Sequence, residues 1–376
     1  MSAALIDLVS VGAQDVYITG DPQVSFFRQN YKRHTNFAIK PERLDFIGSA
    51  SKGNEISIPI KSKGDLLSYV WLEGSNINVQ GKNDTGLFSA EDTTVTDFSL
   101  WIGGQEVCKL DSLFVAGVHN VLYNESQAKA TAATTTADGG ANICTDAYVI
   151  PFFFSEDWTK ALPLVALQYH EVEIRVKFRS HTDFAVPDIK AYASYVFLDT
   201  AEREFFANNE HEILITQTQF QPMSKYDTSV DLSYFNHPVK AVHIAASNDS
   251  SIADTAEKKY TFQSASLYIN GTALSENMSN VYHQKVVPAR HCSVLSDVLD
   301  NEPVKTWPFS LTMNKSQPTG TLNFSRIDTA KITIDTPSNV FDNEPGTGGV
   351  KVIRAYGVNY NILRIKNGMG GVAFGN

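Results

Sequence analysis

The chain has 376 residues, of which 43% are hydrophobic and 11% aromatic, so it carries enough apolar side chains for folded cores and is not mainly disordered. Its 31 Lys and Arg residues against 41 Asp and Glu give a net charge of −10, which argues against nucleic acid as a direct partner. The three cysteines, Cys108, Cys144 and Cys292, lie far apart and provide neither a disulfide framework nor a zinc cluster.

The first predicted element is a short helix in an N-terminal arm, residues 1–35. Asp21 followed by Pro22 is a typical helix start, and Gln23–Lys32 then places apolar residues on one face. Met1–Asp15 has no basic stretch followed by an apolar one, so we expect no secretory signal and synthesis in a reducing compartment. Apolar runs elsewhere are far shorter than the ~20 residues that a membrane-spanning helix needs.

Most of the chain beyond the arm has the pattern of short strands. In Val172–Phe178, apolar and charged residues alternate, as expected of an antiparallel strand with one buried face. Turn-forming residues separate many such segments, which is typical of a sandwich or barrel. The predicted strands are Glu55–Ile60, Leu66–Leu72, Ser99–Ile102, Ala147–Phe154, Val172–Phe178, Ala191–Leu198, Ile213–Phe220, Val239–Ala245, Ser266–Ile269, Lys331–Ile334 and Val350–Tyr356.

Two further helices are predicted between the strands. Ser112–Leu122 carries apolar residues at helical spacing. Thr200–Asn208 follows Asp199, a favourable N-cap residue, with Glu202 placed three residues later as in a capping box. This second helix lies near the middle of the chain and is the predicted connector, residues 200–211.

An internal repeat indicates that the chain contains two copies of one module. Ser99–Gly104 matches Ser266–Gly271 at an offset of 167 residues, and Ala191-Tyr192 matches Ala355-Tyr356 at an offset of 164. The shared order and nearly constant offset favour duplication of a whole domain. We therefore expect modules over residues 36–199 and 212–376, each with its own core, and equivalent tight turns at Gly104 and Gly271.

Two polar segments are predicted to be exposed loops. Gln127–Asn142 is rich in Ala, Thr and Gly and poor in large apolar residues, so it cannot contribute much to a core. Ser247–Lys259 occupies a broadly similar place in the second module.

Several fragments resemble catalytic or metal motifs but lack a required partner. His170-Glu171 and His211-Glu212 begin like a zinc-protease helix, yet the second histidine is missing in both. Gly368–Ala373 fits a bare dinucleotide pattern, but no helix and second strand can follow it. Asp297, Asp300 and Glu302 lack the spacing of a calcium loop. We therefore expect no catalytic residue, no metal and no cofactor, and we expect that the chain is not an enzyme.

One basic segment interleaved with aromatic residues lies in the arm, over Phe26–His34. Such a segment could contact phosphate or an anionic membrane surface. Because the rest of the chain is acidic, docking on a sandwich of the same protein or of a neighbour is the favoured interpretation. The residues that we expect to serve assembly are Gln14, Asp15, Phe26, Phe27, Arg28, Tyr31, Lys32 and Arg33.

Seven Asn-x-Ser/Thr sequons provide weak candidates for glycosylation, only modestly more than composition alone would give. Without a secretory signal, ordinary N-glycosylation is not implied. The sequons begin at Asn83, Asn124, Asn248, Asn270, Asn277, Asn314 and Asn323.

Blocks of sequence spread over nearly the whole chain point to one family. They are Gly12–Tyr17, Thr19–Gln23, Phe26-Phe27, Tyr31–Ala38, Ala161–Val172, Phe197–Thr200, Phe235–Pro238, Asn323–Asp328, Asn359–Ile365 and Gly368–Gly371. The N-terminal blocks are long and specific. In these blocks the chain closely resembles the major capsid proteins of nucleocytoplasmic large DNA viruses, with the algal-virus branch nearest.

The resemblance implies an all-β double jelly roll, that is, two tandem eight-stranded antiparallel sandwiches with a few short helices. It further implies a homotrimeric, pseudo-hexagonal capsomer, with many capsomers tiling an icosahedral shell over an inner viral membrane. The expected partners are other copies of the chain, neighbouring capsomers and minor capsid proteins. The expected location is the virion capsid, after synthesis in the host cytoplasm. In the family the N-terminal segment lies on the inner side of the shell and inter-strand loops project outward, so Gln127–Asn142 would be such a loop.

Two other functions remain open at this point. A jelly-roll carbohydrate-binding module could use Trp101, Trp158 and Trp307 as stacking platforms, although each lies in or beside an apolar run. A metal-dependent jelly-roll enzyme would need histidines on facing strands. His170, His211 and His237 are available, but none has the paired spacing of such a site.

Overall fold

The structure, a computed structural model, divides after Asn36 into an N-terminal unit and a unit of residues 37–376. The two predicted loops, Gln127–Asn142 and Ser247–Lys259, lie outside the described residues. Among the described residues, no helix is long and apolar enough to cross a membrane. The structure describes residues 8–74, 95–123, 146–180, 186, 188–224, 227–246, 260–293, 304–338 and 352–375.

The N-terminal unit contains a short helix, α1, over Val16–Thr19. The predicted helix over Gln23–Lys32 is wrong, because the backbone there forms turns and extended segments. Asp21 has a φ of 47°, which is not the extended conformation of an N-cap. Every described residue of the unit is exposed, so the apolar face of a short helix would have no core to dock against, and isolated short helices are marginal in water.

The first sandwich, residues 37–198, consists of two antiparallel sheets with strand orders β1-β9-β3-β6 and β2-β8-β4-β5, and a short strand β7 pairs with β3. These strands are β1 (Phe37–Leu44), β2 (Glu55–Ile60), β3 (Leu66–Gly74), β4 (Asp97–Ile102), β5 (Gln105–Asp111), β6 (Asp146–Val149), β7 (Leu162–Pro163), β8 (Val172–Lys177) and β9 (Lys190–Leu198).

The second sandwich, residues 211–372, repeats this plan with strand orders β10-β18-β12-β15 and β11-β17-β13-β14, while β16 pairs with β12 and β19 with β18. These strands are β10 (His211–Met223), β11 (Ser229–Asp231), β12 (Pro238–Ala246), β13 (Thr261–Ile269), β14 (Thr272–Ser279), β15 (Lys305–Pro308), β16 (Leu322–Asn323), β17 (Ala330–Ser338), β18 (Ile353–Lys366) and β19 (Met369–Val372).

Both sandwiches have the same topology. When the eight main strands of each are counted along the chain, both have sheets in the orders 1-8-3-6 and 2-7-4-5, which is the arrangement of a jelly roll. The repeated segments fall on equivalent strands: Ser99–Gly104 and Ser266–Gly271 on β4 and β13, and Ala191-Tyr192 and Ala355-Tyr356 on β9 and β18. The predicted all-β double jelly roll with a few short helices is confirmed.

The helices of the second unit connect strands. The predicted helix over Ser112–Leu122 is present as a π-helix, α2, over Phe114–Tyr123. The predicted helix α4 spans Thr200–Asn208, and the Asp199 carboxylate accepts a hydrogen bond from the Thr200 N–H. The other short helices are α3 (Phe153–Glu156), the π-turn Tyr282–Val286, α5 (Val287–His291), and the 3-10 turns Trp158–Lys160, Leu164–Ala166 and Phe324–Arg326.

The core of the first sandwich continues into the second. The cluster of buried apolar residues built on β2, β3, β4 and β8 also includes Ile215, Tyr356 and Leu363 of the second sandwich. The second sandwich has a further cluster of its own around Trp307 and Phe262. The first module therefore has a buried core, as expected, but this core also extends across the junction into the second module.

The two predicted tight turns are equivalent hairpins. Gly103 and Gly104 have φ values of 58° and 81°, and Asn270 and Gly271 have 48° and 81°. Two consecutive residues at positive φ are the mark of a two-residue hairpin turn of type I′.

Substituting Val for Gly271 should lower the free energy of unfolding by about 1–2 kcal/mol, because a β-branched residue tolerates positive φ poorly. A Cβ at this position would meet nothing within 4 Å, so the cost is purely that of the backbone. Gly271→Asn is the matched control, since Asn adopts this conformation readily. Denaturant midpoints check both variants, and a Val variant as stable as the unaltered chain would contradict the turn assignment.

Candidate assembly site

The N-terminal arm is exposed along its whole described length. At its start, the Asp15 carboxylate accepts a hydrogen bond from the Gly12 N–H at 2.9 Å, and the Gln14 carbonyl accepts one from the Tyr17 N–H. These two predicted assembly residues therefore fix the turn that leads into α1.

The basic and aromatic part of the arm lies in turns and extended backbone beyond α1. Phe26, Phe27 and Tyr31 are 93%, 99% and 76% exposed, and the cationic residues Arg28, Lys32 and Arg33 beside them are exposed as well. Contiguous exposed aromatic residues usually mark an interaction surface. The segment thus combines apolar area with positive charge and has no core of its own.

A buried ion pair joins the two sandwiches. Asp111, at the end of β5, accepts hydrogen bonds from Arg354 Nη1 at 2.6 Å and from the Tyr356 hydroxyl at 2.8 Å. It also accepts one from the Phe114 N–H at the start of α2. The side chains of Asp111 and Arg354 are 3% and 14% exposed. Sequence reasoning missed this site, because its partners are more than 240 positions apart.

A second polar cluster lies around Glu156 of α3, which binds Lys160 and the Thr216 hydroxyl of β10. Burial opposes ionisation of Glu156, but the nearby Lys240 and Lys160 ammonium groups hold its pKa below the ordinary value. Burial lowers the pKa of Lys240 to about 8 and the pKa of His119 to about 4. The cluster therefore places charged groups in the interior between the sandwiches.

Hydrogen bonds from side chains of β10 to main-chain carbonyls of β5 complete the junction. Gln217 Nε2 of β10 donates to the Val107 carbonyl, and the Thr218 hydroxyl donates to the Lys109 carbonyl, each at 2.5 Å. Both acceptors belong to β5. The first strand of the second sandwich is thus hydrogen-bonded through side chains to a strand of the first.

The glycine-rich C-terminal motif contacts the first sandwich. The Tyr169 N–H donates to the Gly368 carbonyl at 3.0 Å, and His170 Nδ1 lies 2.9 Å from the Gly370 oxygen. A Cβ at Gly368 would lie 2.5 Å from the Tyr169 ring, and one at Gly370 would lie 2.7 Å from Leu167. These glycines allow the β18–β19 hairpin to approach the first sandwich, which explains the Gly-rich sequence without a dinucleotide.

The sequons occupy different environments. Asn83, Asn124 and Asn248 lie outside the described residues. Asn270, Asn277 and Asn323 are exposed, whereas Asn314 is buried, and its carbonyl oxygen accepts hydrogen bonds from Ser293. A glycan on Asn314 would require that side chain to leave these contacts.

The tryptophans offered as stacking platforms lie in three unlike places. Trp307 is buried in the core of the second sandwich, the Arg175 guanidinium covers the ring of Trp101 at 4.2 Å, and Trp158 is 62% exposed. They form no shared surface for a sugar chain.

The histidines considered as metal ligands make separate contacts. His170 meets Gly370, and His211 Nε2 contacts the Phe206 carbonyl. No group of three or more His, Cys, Asp or Glu that could hold a metal occurs within the described ranges. Asp297, Asp300 and Glu302 lie outside them.

Comparison with known proteins assigns both halves of the chain to one family. A sequence profile described as the major capsid protein N-terminus matches residues 25–199. A second profile, described as the large eukaryotic DNA virus major capsid protein, matches residues 202–371.

Individual relatives agree over the full length. The chain is 31% identical to the major capsid protein of Pyramimonas orientalis virus and 30% identical to that of Paramecium bursaria Chlorella virus 1, and each alignment covers all of both chains. In the quasi-atomic model of the PBCV-1 virus capsid, a protein chain superposes with a TM-score of 0.74 at 26% identity, over 94% of this chain and 100% of that one. These relatives are structural proteins and not enzymes. The chain therefore belongs to the family of major capsid proteins of large eukaryotic DNA viruses, and its role is a structural one in the virion capsid.

Proposed function

We propose that three copies of this chain form a pseudo-hexagonal capsomer and that such capsomers tile an icosahedral shell. The main observation in support of this proposal is that two sandwiches of identical strand order follow one another in a single chain. Three chains related by a three-fold axis then present six nearly equivalent sandwiches, which is the symmetry needed to pack on a hexagonal net. Extensive contacts between the two sandwiches of a chain support a rigid building block.

The mass of the purified full-length protein tests this proposal. Light scattering should give about three times the 41.4 kDa of one chain and should show no dissociation on moderate dilution. A monomer at micromolar concentration would contradict the capsomer proposal. A dimer would contradict it equally, since two chains cannot supply six equivalent corners.

The N-terminal arm, residues 1–35, is assigned to the inner side of the shell, where minor capsid proteins and the inner viral membrane are its proposed partners. Its exposed aromatic and cationic residues support this role, because such a segment gains stability only by docking. The other proposed divisions are sandwiches over residues 36–199 and 212–376, with the connector 200–211 between them.

Synthesis in the host cytoplasm fits the thiol chemistry of the chain. Cys108 and Cys292 are free and buried, which suits a reducing compartment. If the virion protein carries sugar, the exposed sequons Asn270, Asn277 and Asn323 are where it would fit among the described residues.

A further inference from the structure

A cavity of about 570 Å³ lies where the two sandwiches meet. The first sandwich contributes Ser68 and Tyr69 of β3 and residues from α3 to Trp158, while the second contributes Lys240 of β12 and the loop at Asn314. A volume of several hundred Å³ with aromatic walls and a few polar groups is typical of a site for a small organic ligand.

An irregularity of β12 directs the Lys240 side chain into this cavity. The register between β12 and β18 shifts between Val239 and Ala241, so Lys240 is the extra residue of a β-bulge, a device that often re-aims a side chain beside a functional site. The equivalent strand of the first sandwich, β3, has a register shift between Leu67 and Tyr69. Its extra residue, Ser68, lines the same cavity.

The Lys240 ammonium is buried and forms no direct ion pair among the described residues, although the nearby Glu156 carboxylate partly offsets the lowering of its pKa by burial. The residue is 3% exposed, and its Nζ lies 4.6 Å from the ring centre of Tyr123 and 5.5 Å from that of Tyr360. Within the described part of the chain, no carboxylate pairs with it at ion-pair distance. A buried ammonium that faces two rings and forms no direct ion pair has hydrogen-bonding capacity left over for an acceptor.

His119 of α2 provides a second unfilled group at the cavity. Its Nδ1 is buried and has no hydrogen-bond partner among the residues that the structure describes. The ring stacks on Tyr123 at 5.8 Å, and the Tyr123 hydroxyl in turn bonds His243 at 2.8 Å. In its Nδ1-protonated tautomer, His119 would be a donor to the same acceptor.

The acidic groups at the cavity are, in contrast, already occupied. The two oxygens of Glu156 accept from Lys160 and Thr216. Those of Asp157 accept from Thr159 and Ser316. The groups with hydrogen-bonding capacity left over are therefore the donors Lys240 and His119, which favours a ligand with an acceptor, and a carboxylate is an acceptor that also complements the charge of Lys240.

Aromatic side chains form the apolar part of the wall. Tyr69 and Trp158 meet edge to face with ring centres 6.2 Å apart, and Phe154 and Tyr148 also line the space. Trp158 is 62% exposed, so its ring lies partly at the surface, where it can contact an entering ligand.

We propose that this cavity binds a carboxylate attached to an aromatic or apolar group, with the carboxylate on Lys240 and the apolar group against Tyr69 and Trp158. The ligand is either a free small carboxylate or the C-terminal carboxylate of a peptide, since both present the same chemistry. This proposal does not rest on the proposed capsomer.

Calorimetric titration of the full-length protein with phenylacetate and with its neutral amide, phenylacetamide, tests the site. Phenylacetate should bind at least ~10-fold more tightly than the amide, because a charge-assisted hydrogen bond in a buried site is lost with the charge. Lys240→Met should remove this preference, and Trp158→Ala should weaken both ligands. Lys315→Met, at an exposed lysine that lines the same cavity, is the matched control and should change affinity less than ~3-fold.

Each outcome decides the proposal. No binding of phenylacetate at millimolar concentration, or equal binding of the acid and the amide, overturns it. Unchanged preference in a folded Lys240→Met variant also overturns it. If that variant does not fold, the acid-to-amide ratio of the unaltered protein and the Trp158→Ala result decide the question. N-acetylphenylalanine and its amide then separate the two sources, because only a site for chain ends should favour the acetylated residue over phenylacetate.

Discussion

Replacing Asp111 with Leu should lower the free energy of unfolding by about 3–5 kcal/mol, since removing one partner of a buried ion pair leaves an uncompensated charge. Three donors lose their acceptor at once: the guanidinium of Arg354, the Tyr356 hydroxyl and the Phe114 N–H. Calorimetry of the purified protein should show the midpoint of unfolding lowered by roughly 5 °C.

The position of Asp111 explains why the effect should reach both sandwiches. The carboxylate lies at the end of β5, in the β4–β5 hairpin, which has an equivalent hairpin in the second module. Arg354 and Tyr356 lie on β18. Tyr356 also belongs to the shared core. Loss of the carboxylate therefore weakens the junction where apolar burial already couples the two modules, and we expect one cooperative transition at a lower temperature.

A surface ion pair of similar geometry provides the control. Arg364 and Glu212 are paired at 2.7 Å across β10 and β18, with side chains 56% and 55% exposed. Glu212→Gln should cost less than about 1 kcal/mol, because exposed pairs are screened by water. The double variant Asp111→Leu with Arg354→Met should recover at least half of the loss, since an apolar pair replaces both charges. Equal losses at Asp111 and Glu212 would contradict the assigned role of the junction.

Features that depend on local sequence could be predicted. The alternation in Val172–Phe178 reappears as a strand whose apolar residues are buried, and the turn at Asn270-Gly271 has the positive φ values that its residues favour. The helix Thr200–Asn208 follows its N-cap residue. In each case the deciding interactions lie within a few residues, so the local pattern carries enough information.

Features that depend on distant partners could not be predicted from the sequence. The arm residues Gln23–Lys32 have a helical pattern, but a pattern forms a helix only when its apolar face is covered, and here it is exposed. The sequence predicts one strand over Ala147–Phe154, yet the strand ends at Val149 and Phe153 begins α3, because a continuous apolar run fits a buried helix as well as a buried strand. Likewise, a single Lys240 in an apolar segment gives no sign of the bulge that directs it.

Removal of residues 1–30 should leave trimers intact and abolish the assembly of shells. Every described residue of the arm is exposed, so we expect its loss to change the midpoint of unfolding by less than about 1 °C. Shell assembly, by contrast, should fail, because the exposed Phe26, Phe27 and Tyr31 would be lost as a docking surface. Light scattering of the truncated protein and electron microscopy of particles formed with the viral partner proteins measure the two effects.

Two full-length variants separate the apolar from the electrostatic part of this effect. Changing Phe26, Phe27 and Tyr31 together to Ser removes apolar area and keeps the charges, whereas changing Arg28, Lys32 and Arg33 to Gln does the opposite. Docking against protein should depend mainly on the aromatic residues, since burial of each contributes about 2 kcal/mol or more. Docking against an anionic membrane should depend mainly on the cations and weaken with salt. If both variants and the truncated chain build normal shells, the arm has no role in assembly, and its exposed aromatic residues need another explanation.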